Sequence, residues 1–256
     1  MTVSALYKQL CELISPELSC DWDNDGDMCI PEPEREVRRV LIALDITGDV
    51  VKAAIEGNYD VILSHHPLLF HGLKHLVANE MTSRKCIDLC RAGISALSFH
   101  TRLDAVTGGV NDTLAKLLDI ENALPFGDDS IGRIGSLSTD MTAEAFARLV
   151  AERLDAPAVT LSDAGKSVRR VAVLGGGGGD FMRAALAAGA DTYVTGDAGF
   201  HHIVDAPQLG INLIVAGHHH TEHPVCEKLA DMIRAMISEA EISVMNSYTA
   251  KTITKA

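Results

Sequence analysis

Short apolar runs alternate with amphipathic stretches along the chain, and this pattern predicts strands and helices in turn. Continuous apolar runs indicate buried strands, whereas apolar positions three and four apart indicate helices that pack on one face. An amphipathic helix is also predicted at the N-terminus, in residues 1–20. Such an order is typical of an α/β architecture with largely parallel sheets. We predict strands at 37–44, 59–64, 94–98, 158–161, 171–174, 192–195, 211–216 and 242–247, and helices at 49–56, 82–92, 109–118, 142–154, 181–188 and 224–237.

The two halves of the chain repeat one pattern. Eight of the 29 residues from 38 to 66 are identical to the residues 131 positions later. Each copy has a strand, a Gly-Asp pair at a helix start, the helix, an aspartate and a second strand. Units of this kind also resemble one another without a common origin, but the identities favour an internal duplication. The predicted fold is therefore two related α/β domains, with a metal site in the crevice at their strand ends.

A stretch rich in Pro, Gly and Asp at 125–130 separates the two groups of predicted elements. We therefore predict an N-terminal α/β domain at 1–124 and a C-terminal α/β domain at 125–256. The pattern leaves open whether the domains intertwine and whether the C-terminal segment packs back on the first domain. A length of 256 residues suffices for two domains of ordinary size.

The composition excludes several classes of protein. Hydrophobic residues make up 47% of the chain and the formal net charge is −13. These values fit a globular protein and argue against nucleic acid as a partner, because phosphate contacts need clustered Lys and Arg. No uncharged apolar stretch of about 18 residues occurs, so no membrane span is expected. The N-terminus lacks the basic start and apolar core of a secretion signal, which favours the cytoplasm.

The cysteines do not form a metal-binding or redox pattern. None forms a CxxC pair, and Cys86 and Cys90 lie one helical turn apart, a spacing that suits packing better than a disulfide. We expect reduced thiols, mostly buried. The six are Cys11, Cys20, Cys29, Cys86, Cys90 and Cys226.

Histidines cluster directly after predicted strands. The eleven histidines include four adjacent pairs, and imidazole with carboxylate is the usual ligand set of zinc, iron, manganese or nickel. His65 and His66 follow one strand and precede Pro67, which favours a turn there. Neighbours in an extended chain point to opposite sides, so the two rings bind one metal at a turn or one metal each. The simpler alternative is one buried and one exposed histidine.

A second group follows the strand at 211–216. His218 and Glu222 are four residues apart and would share one face of a helix, so they could hold one metal together. His219 and His220 would then point elsewhere. His100 and Asp104 repeat the spacing after the strand at 94–98. We interpret the two pairs as equivalent in the duplication, which makes Asp104 a predicted ligand instead of a helix-capping or turn carboxylate.

Two further segments have more than one interpretation. Five consecutive glycines at 175–179 follow a strand and precede a helix, as in phosphate-binding and dinucleotide-binding loops. No Gly-Lys-Ser/Thr follows, which disfavours a P-loop NTPase. We favour a turn where the backbone passes close to the site over a nucleotide-cofactor oxidoreductase, which would leave the histidines unexplained. The loop at 21–26 holds the single tryptophan, Trp22. This loop either lines a pocket or forms a structural turn around a packed indole.

Over essentially its full length, the chain resembles the type 2 GTP cyclohydrolase homologues, also called Ngg-interacting-factor-three-like proteins. No single motif is specific, but the set is. Arg102 departs from the family, which often has Asn there, and His219 and His220 fill positions that are usually variable. The resemblance rests on Asp21-Trp22-Asp23-Asn24-x-Gly26, Leu44-Asp45-Ile46-Thr47, Ser64-His65-His66-Pro67-Leu68-Leu69-Phe70, His100-Thr101-x-Leu103-Asp104, Gly108-Gly109-Val110-Asn111-Asp112, Arg133-Ile134-Gly135, Thr195-Gly196-Asp197 and Gly217-His218-x-x-Thr221-Glu222.

The resemblance implies a dinuclear metal centre with two divalent ions. It also implies two related α/β domains and a ring-shaped homohexamer. The identity of the ions stays open among Zn, Fe, Mn and Ni, because histidine with carboxylate suits each of them. The family's metal ligands fall on His65, His66, Asp104, His218 and Glu222.

The function that these residues favour is a metal-dependent hydrolase acting on a small molecule, either a nucleotide or a phosphate ester. This agrees with the inherited family label of GTP cyclohydrolase type 2. Metal binding lowers the pKa of water to about 7, and we expect His100 and His201, or the adjacent His202, to move protons as catalytic residues. The alternative is a non-catalytic metal-binding or regulatory interaction protein, in which the same ligands serve storage, delivery or assembly.

Overall fold

The computed structural model of the chain describes residues 1–127 and 130–253. Within them the chain forms two compact units: unit 1 contains Met1–Val106 and Cys226–Tyr248, and unit 2 contains Thr107–Val225 and the segment from Thr249. The division follows Val106, not residue 124, because the helix predicted at 109–118 packs in the core of unit 2. Residues 128 and 129 of the predicted break, and 254–256 of the predicted second domain, lie outside the described residues.

Unit 1 is an α/β unit with a five-stranded sheet. Its elements, labelled in chain order through the whole protein, are helices α1 (Val3–Leu13), α2 (Gly48–Glu56), α3 (Met81–Ala92), α4 (Thr101–Ala105) and nearly all of α10 (Val225–Met236), and strands β1 (Gly26–Cys29), β2 (Arg39–Ala43), β3 (Val61–Ser64), β4 (Ser95–Ser98) and β11 (Glu241–Val244). The strand order is β1-β4-β3-β2-β11. All neighbours are parallel except β1, which is antiparallel to β4.

Helix α2 shows how sequence and packing agree in unit 1. Thr47 caps it, because its Oγ1 accepts a hydrogen bond from the amide of Val50 at 3.2 Å. Val50 and Ala54 lie on one face and are fully buried against the sheet residue Ile62. The predicted N-terminal helix is shorter than expected. It ends at Leu13, and a 3₁₀ turn over Pro16–Leu18 follows.

Unit 2 has a six-stranded sheet of order β5-β6-β8-β9-β10-β7. Its strands are β5 (Glu121–Phe126), β6 (Gly132–Met141), β7 (Thr160–Ser162), β8 (Val168–Leu174), β9 (Thr192–Thr195) and β10 (Asn212–Val215), and its helices are α5 (Val110–Leu117), α6 (Ala143–Arg153), α7 (Met182–Ala187), α8 (Phe200–Leu209) and α9 (His218–Glu222). Among the described strands of unit 2, only β8, β9 and β10 pair in parallel; the other three pairs in this sheet are antiparallel. The prediction of largely parallel sheets is therefore right for unit 1 and wrong for unit 2. Strand β5 was missed because most of its residues are exposed, so no apolar run marks it.

The central strands of the two units pair in the same register. Val40 pairs with Val61 in unit 1, and Val171 pairs with Thr192 in unit 2, both 131 residues later. The aspartate before the second strand also repeats its contacts. Asp60 accepts hydrogen bonds from the amides of Arg38 and Arg39 at 2.8 and 2.9 Å, and Asp191 accepts from those of Arg169 and Arg170 at 3.0 and 2.7 Å. The duplication read from the sequence is thus present in backbone pairing.

The cysteines are less buried than the sequence suggested. Cys86 and Cys226 are buried, Cys90 is exposed, and the other three are half-buried. Cys29 Sγ lies 3.5 Å from Cys90 Sγ, and all six are free thiols. Burial and the contact with Cys90 raise the pKa of the Cys29 thiol to about 12, which makes it a weak nucleophile. Among the described helices, none combines the length and apolar character needed to cross a membrane.

Candidate metal centre

In unit 1, two histidine rings meet where β3 ends and the chain turns. Ser64 Oγ, at the last position of the strand, donates to the carbonyl of His66 at 2.8 Å and so stabilises the turn. His65 is fully buried and His66 is half-buried, and their ring centroids are 5.0 Å apart. The chain therefore departs from the extended geometry in which neighbouring side chains point apart.

Hydrogen bonds fix which nitrogen of each neutral ring carries the proton. His65 Nδ1 lies 2.9 Å from the carbonyl oxygen of Phe99. A carbonyl can only accept, so Nδ1 carries the proton and Nε2 carries the lone pair of the neutral ring. His66 Nδ1 lies 2.8 Å from Asp45 Oδ1, with the same consequence. A metal-binding histidine is typically held in place by such an acceptor on the ring nitrogen that does not bind the metal.

His100 shares this arrangement and lies with the other two rings. Its Nδ1 is 2.8 Å from Asp23 Oδ1, and its centroid is 5.2 Å from that of His65 and 5.6 Å from that of His66. The three rings present ligand atoms within 4.8 Å of one another. The sequence predicts His100 as a proton carrier; the structure makes it a candidate metal ligand as well.

The Asp23 carboxylate is fixed in its charged form. Burial by itself would raise its pKa, but hydrogen bonds from His100 and from the hydroxyl and amide of Thr101 outweigh burial and hold the pKa well below its ordinary range. A carboxylate that stays ionised keeps the proton of His100 on Nδ1. In the neutral ring the lone pair then lies on Nε2.

Asp104 supplies the carboxylate of unit 1. Its Oδ1 lies 3.8 Å from His65 Nε2. It is carried by α4, which Arg102 anchors: the buried guanidinium contacts Asp25 Oδ2 at 3.1 Å and the carbonyl of Ile14 at 3.3 Å. Arg102, at the position where the family often has Asn, thus anchors α4, the helix that carries the candidate ligand Asp104.

Unit 2 presents one histidine and one carboxylate on a single turn of helix. His218 and Glu222 are four residues apart in α9, and Nε2 lies 3.1 Å from Oε2, as the sequence predicts for residues on one helix face. His218 Nδ1 lies 2.7 Å from Asp197 Oδ2, so Nε2 again has the lone pair. Glu222 is only 4% exposed. His219 is oriented differently, since its ring stacks on His223 at 4.7 Å.

The glycine run gives Glu222 room. Gly176 has φ +65°, and a Cβ there would overlap Glu222 Oε1. The amides of Gly175, Gly176 and Gly178 donate to Asn111 Oδ1, Thr221 Oγ1 and Thr195 Oγ1. These amides are therefore engaged within the protein and do not cradle a phosphate. The favoured interpretation of the run, a backbone that passes close to the site, agrees with both observations.

The equivalence of the two His-x-x-x-acid pairs is shifted by one residue. Ser64 pairs with Ser98, and its counterpart Thr195 pairs with Val215. Counting forward from these partners, the residue equivalent to His218 is Thr101, and His100 caps α4 where Gly217 caps α9. Duplication therefore does not assign Asp104 as a ligand. The distance of 3.8 Å from its Oδ1 to His65 Nε2 is what makes it a candidate.

A separate cluster in unit 2 holds the other predicted proton carriers. His201 and His202 have ring centroids 3.8 Å apart, and His202 Nε2 lies 3.1 Å from Asp180 Oδ1. His202 Nδ1 accepts from the Gly199 amide at 3.1 Å, so the ring also caps α8. The structure groups His201 with these residues and not with the pair on α9.

The donors present fit divalent metal ions. In His65 with Asp104, and in His218 with Glu222, a lone-pair nitrogen faces a carboxylate oxygen. Two acceptors facing each other are stabilised by a shared cation, either a proton or a metal. Neutral imidazole with carboxylate suits several first-row ions, so the donor set fits a metal without naming it.

Sequence reasoning missed the residues that orient the rings. Asp23, Asp45 and Asp197 each accept from the Nδ1 of one candidate ligand. Each lies in a quoted motif, namely the Asp-Trp-Asp-Asn loop, the Leu-Asp after β2 and the Thr-Gly-Asp after β9. For Asp45 and Asp197, an aspartate two residues after a strand was the available signal, since strand ends carry the binding residues of α/β sheets.

Comparison with known proteins gives consistent matches over the whole chain. The family described as Duf34/NIF3 (NGG1p interacting factor 3) matches residues 1–252. A Clostridium perfringens protein named GTP cyclohydrolase 1 type 2 homolog is 31% identical over 250 residues, covering 94% of this chain and 95% of that protein. A Schizosaccharomyces pombe protein named Protein NIF3 homolog is 28% identical over 265 residues, with 94% of each chain covered. The crystal structure of Staphylococcus aureus protein SA1388 superposes with a TM-score of 0.88 at 25% identity, covering 100% of this chain and 99% of that one.

Proposed function

The chain belongs to the Duf34/NIF3 family, and from this premise we propose that it is a dinuclear metal-binding protein that hydrolyses a nucleotide or a phosphate ester. The proposed ligands are His65, His66, Asp104, His218 and Glu222. The observation that carries the proposal is shared by both units. Four histidines, including His100, each direct Nδ1 at an oxygen acceptor, which puts the lone pair of the neutral ring on Nε2.

A bound divalent cation would lower the pKa of a coordinated water towards about 7 and so supply hydroxide at neutral pH. The protein's own residues then have separate tasks. Asp45, Asp197 and the Phe99 carbonyl hold three rings in one tautomer. His100 is held by Asp23 at Nδ1, so Nε2 is the atom at which it would accept a proton or bind a metal. His201 remains a proposed second proton carrier.

The nucleotide part of the proposal is supported by the name of the Clostridium perfringens relative, GTP cyclohydrolase 1 type 2 homolog. Purine nucleotides are therefore the first substrates to test, followed by simple phosphate esters. The strongly negative net charge does not oppose this choice, because bound cations reverse the local field.

Metal counting tests the ligand assignment. Purified protein is reconstituted with Zn, Mn, Fe or Ni and its metal content is measured by mass spectrometry, for the parent chain and for His65→Ala and Glu222→Ala. We expect two ions per chain in the parent and fewer in both variants. His75→Ala and His220→Ala are matched controls, since each removes one imidazole from the same segment as a proposed ligand. Unchanged metal content in His65→Ala and Glu222→Ala would refute the assignment.

His100→Ala separates the two roles of His100. If His100 is a proton carrier, the variant keeps both ions and loses turnover. If it is a ligand, the variant loses metal. The same measurement on His201→Ala is expected to show full metal content, because His201 lies in the Asp180 cluster.

A second candidate function is a non-catalytic metal-binding or regulatory protein. The family description, NGG1p interacting factor 3, favours it. A screen of nucleotides and phosphate esters with metal-loaded protein discriminates the two. Metal-dependent turnover that disappears in Glu222→Ala supports the hydrolase, whereas full metal content without turnover supports the regulatory protein.

The proposal extends to assembly and location. We propose a homohexamer in the cytoplasm, with a small molecule as the main partner and no nucleic acid. Light scattering of the metal-loaded protein tests the assembly, and a mass other than six chains would contradict it.

A further inference from the structure

The single tryptophan lies on a rigid loop but is not packed in a core. On the N-terminal side of Trp22, the amide of Cys20 donates to Thr101 Oγ1 at 3.0 Å. On the C-terminal side, Asp23 accepts from the amide and hydroxyl of Thr101 at 3.0 and 2.6 Å, and Asp25 accepts from the amide of His100 at 3.1 Å. Trp22, between these anchors, is 63% exposed. This excludes the structural turn around a packed indole that the sequence left open.

A second exposed aromatic ring stands beside it. Phe70 is 41% exposed, and its ring centroid lies 6.2 Å from that of Trp22 at an angle of 57°. Asn24 Nδ2 donates to the carbonyl of Leu69 and ties the two loops together. The arrangement of the rings is thus set by backbone anchors and does not depend on mutual burial. Rigid aromatic side chains of this kind lose little entropy when a ligand binds.

The pair borders the histidine group of unit 1. The centroids of Trp22 and of Phe70 both lie 6.2 Å from that of His100, with edge-on angles of 80° and 84°. His100 in turn contacts the rings of His65 and His66. A ligand that touches Trp22 and Phe70 therefore lies next to candidate metal ligands.

The size of the patch favours a small ligand. Two partly exposed aromatic side chains offer on the order of 200 Å². A stable protein interface needs about 800 Å² on each partner. One planar heterocycle matches the smaller area, and stacking on an aromatic side chain is open to any base because every base has a π-face.

We propose that Trp22 and Phe70 form a stacking platform for a nucleobase, so that the substrate of this protein is a nucleoside or nucleotide and not a simple phosphate ester. This inference rests on the proposed metal-dependent function and names its substrate class. The platform binds the base, and the neighbouring histidines and Asp104 face the part of the substrate that reacts.

Intrinsic fluorescence reports on the platform directly, because Trp22 is the only tryptophan in the chain. Metal-loaded protein is titrated with GMP and AMP, and the tryptophan is excited at the red edge of its absorption. We expect saturable quenching by both nucleotides and none by ribose 5-phosphate, which has the sugar and phosphate but no base. Phe70→Ala keeps the fluorophore and should weaken nucleotide binding by about tenfold. Phe200→Ala removes an exposed phenylalanine of unit 2 and should leave binding unchanged.

The platform and the metal function can be refuted independently of each other. The same titration with guanosine and adenosine in metal-free protein tests the platform alone, and saturable quenching is expected there too. Full metal content without saturable quenching overturns the platform and leaves the metal assignment standing. If metal counting refutes the proposed ligands but quenching is still saturable, the metal assignment falls and the platform stands. Quenching that rises linearly with nucleotide concentration and is equal in the parent and in Phe70→Ala is collisional and overturns the platform.

Self-association is the competing use of this surface, since Leu73, Leu76 and Val77 on the same segment are also exposed. Light scattering of Trp22→Ala and Phe70→Ala decides it. An unchanged mass supports the platform. A lower mass in both variants assigns the two rings to a contact between copies of the chain and overturns the proposal.

Discussion

The two units have the same central strands but present their candidate ligands differently. In unit 1, the strand end itself carries His65 and His66. The residues 131 positions later in unit 2 are Gly196 and Asp197, and the donors come from α9 instead. Asp197, in the place of His66, accepts from His218 Nδ1. The same backbone position thus holds a candidate ligand in one unit and, in the other, a carboxylate that orients a candidate ligand.

A second difference lies after the first strand of each repeat. Asp45 orients His66 in unit 1, and the residue at the corresponding position of unit 2 is Gly176. Because glycine has no Cβ, the Glu222 carboxylate can approach the backbone of Gly176. Duplication therefore preserved strand register while exchanging the roles of individual positions. Residue equivalence by itself is a poor guide to function at these strand ends.

Gly176→Ala should have the largest effect. A Cβ at this left-handed position overlaps the Glu222 carboxylate, so we expect a loss of about 3 kcal/mol or more in the free energy of unfolding. Metal content should fall as well. Urea unfolding and metal counting check both.

Gly177→Ala is the matched control for that substitution. A Cβ there meets nothing within 4 Å and φ is not left-handed, so stability should change by less than about 0.5 kcal/mol. Equal behaviour of the two variants would show that the run is not required for the approach of Glu222.

Asp60→Ala and Asp191→Ala test whether the repeated contacts are equally important. Asp60 is buried and accepts from two amides and from Arg35 Nε at 2.8 Å. Its removal leaves these donors without their acceptor, so the free energy of unfolding should fall by about 3 kcal/mol. Asp191 bonds two amides at a more exposed position and should cost about 1 kcal/mol. Chemical denaturation of both variants measures the difference. Equal losses would contradict a role for burial.

Asp45→Ala and Asp197→Ala compare the orienting carboxylates of the two units. Each should weaken metal binding by about tenfold to a hundredfold, because the ring then loses the acceptor that holds it. Competition with a chromophoric chelator measures the affinity. Asp180→Ala is the control, since Asp180 pairs with His202. Weakening in Asp180→Ala as large as in Asp197→Ala would move the unit 2 ligands to the His201–His202 cluster.

The smallest expected effect is a pH dependence from Asp23. Its pKa is lowered in the folded protein, so its ionised form stabilises the fold. This contribution is fully present above the ordinary Asp pKa of about 3.9 and is lost as the pH falls through the lowered folded value. The stability difference between metal-free parent and Asp23→Asn should therefore shrink between about pH 5 and about pH 3. A constant difference over that range in urea unfolding would exclude the role of Asp23.

Much of the fold was predictable because its central strands are continuous apolar runs. The structure has β2, β3, β8, β9 and β10 within or close to the predicted ranges. Strands β1, β5 and β6 and helices α4 and α8 were not predicted. Strand β5 is mostly exposed, and helix α8 contains Pro207 and polar residues, so neither has a clean apolar period.

The sequence by itself determined which residue types stand at the strand ends, the spacing of His218 and Glu222, and the repeat of 131 residues. These features are local or are read by direct comparison of two segments. Only the tertiary structure decided which nitrogen of each neutral ring carries the proton, because the partners of Nδ1 lie 21 residues away for His66 and His218 and 77 residues away for His100. It also placed His100 with His65 and His66, and showed that a side chain at Gly176 would overlap Glu222. Hydrogen-bond partners distant in sequence are brought together by packing, and no local pattern encodes them.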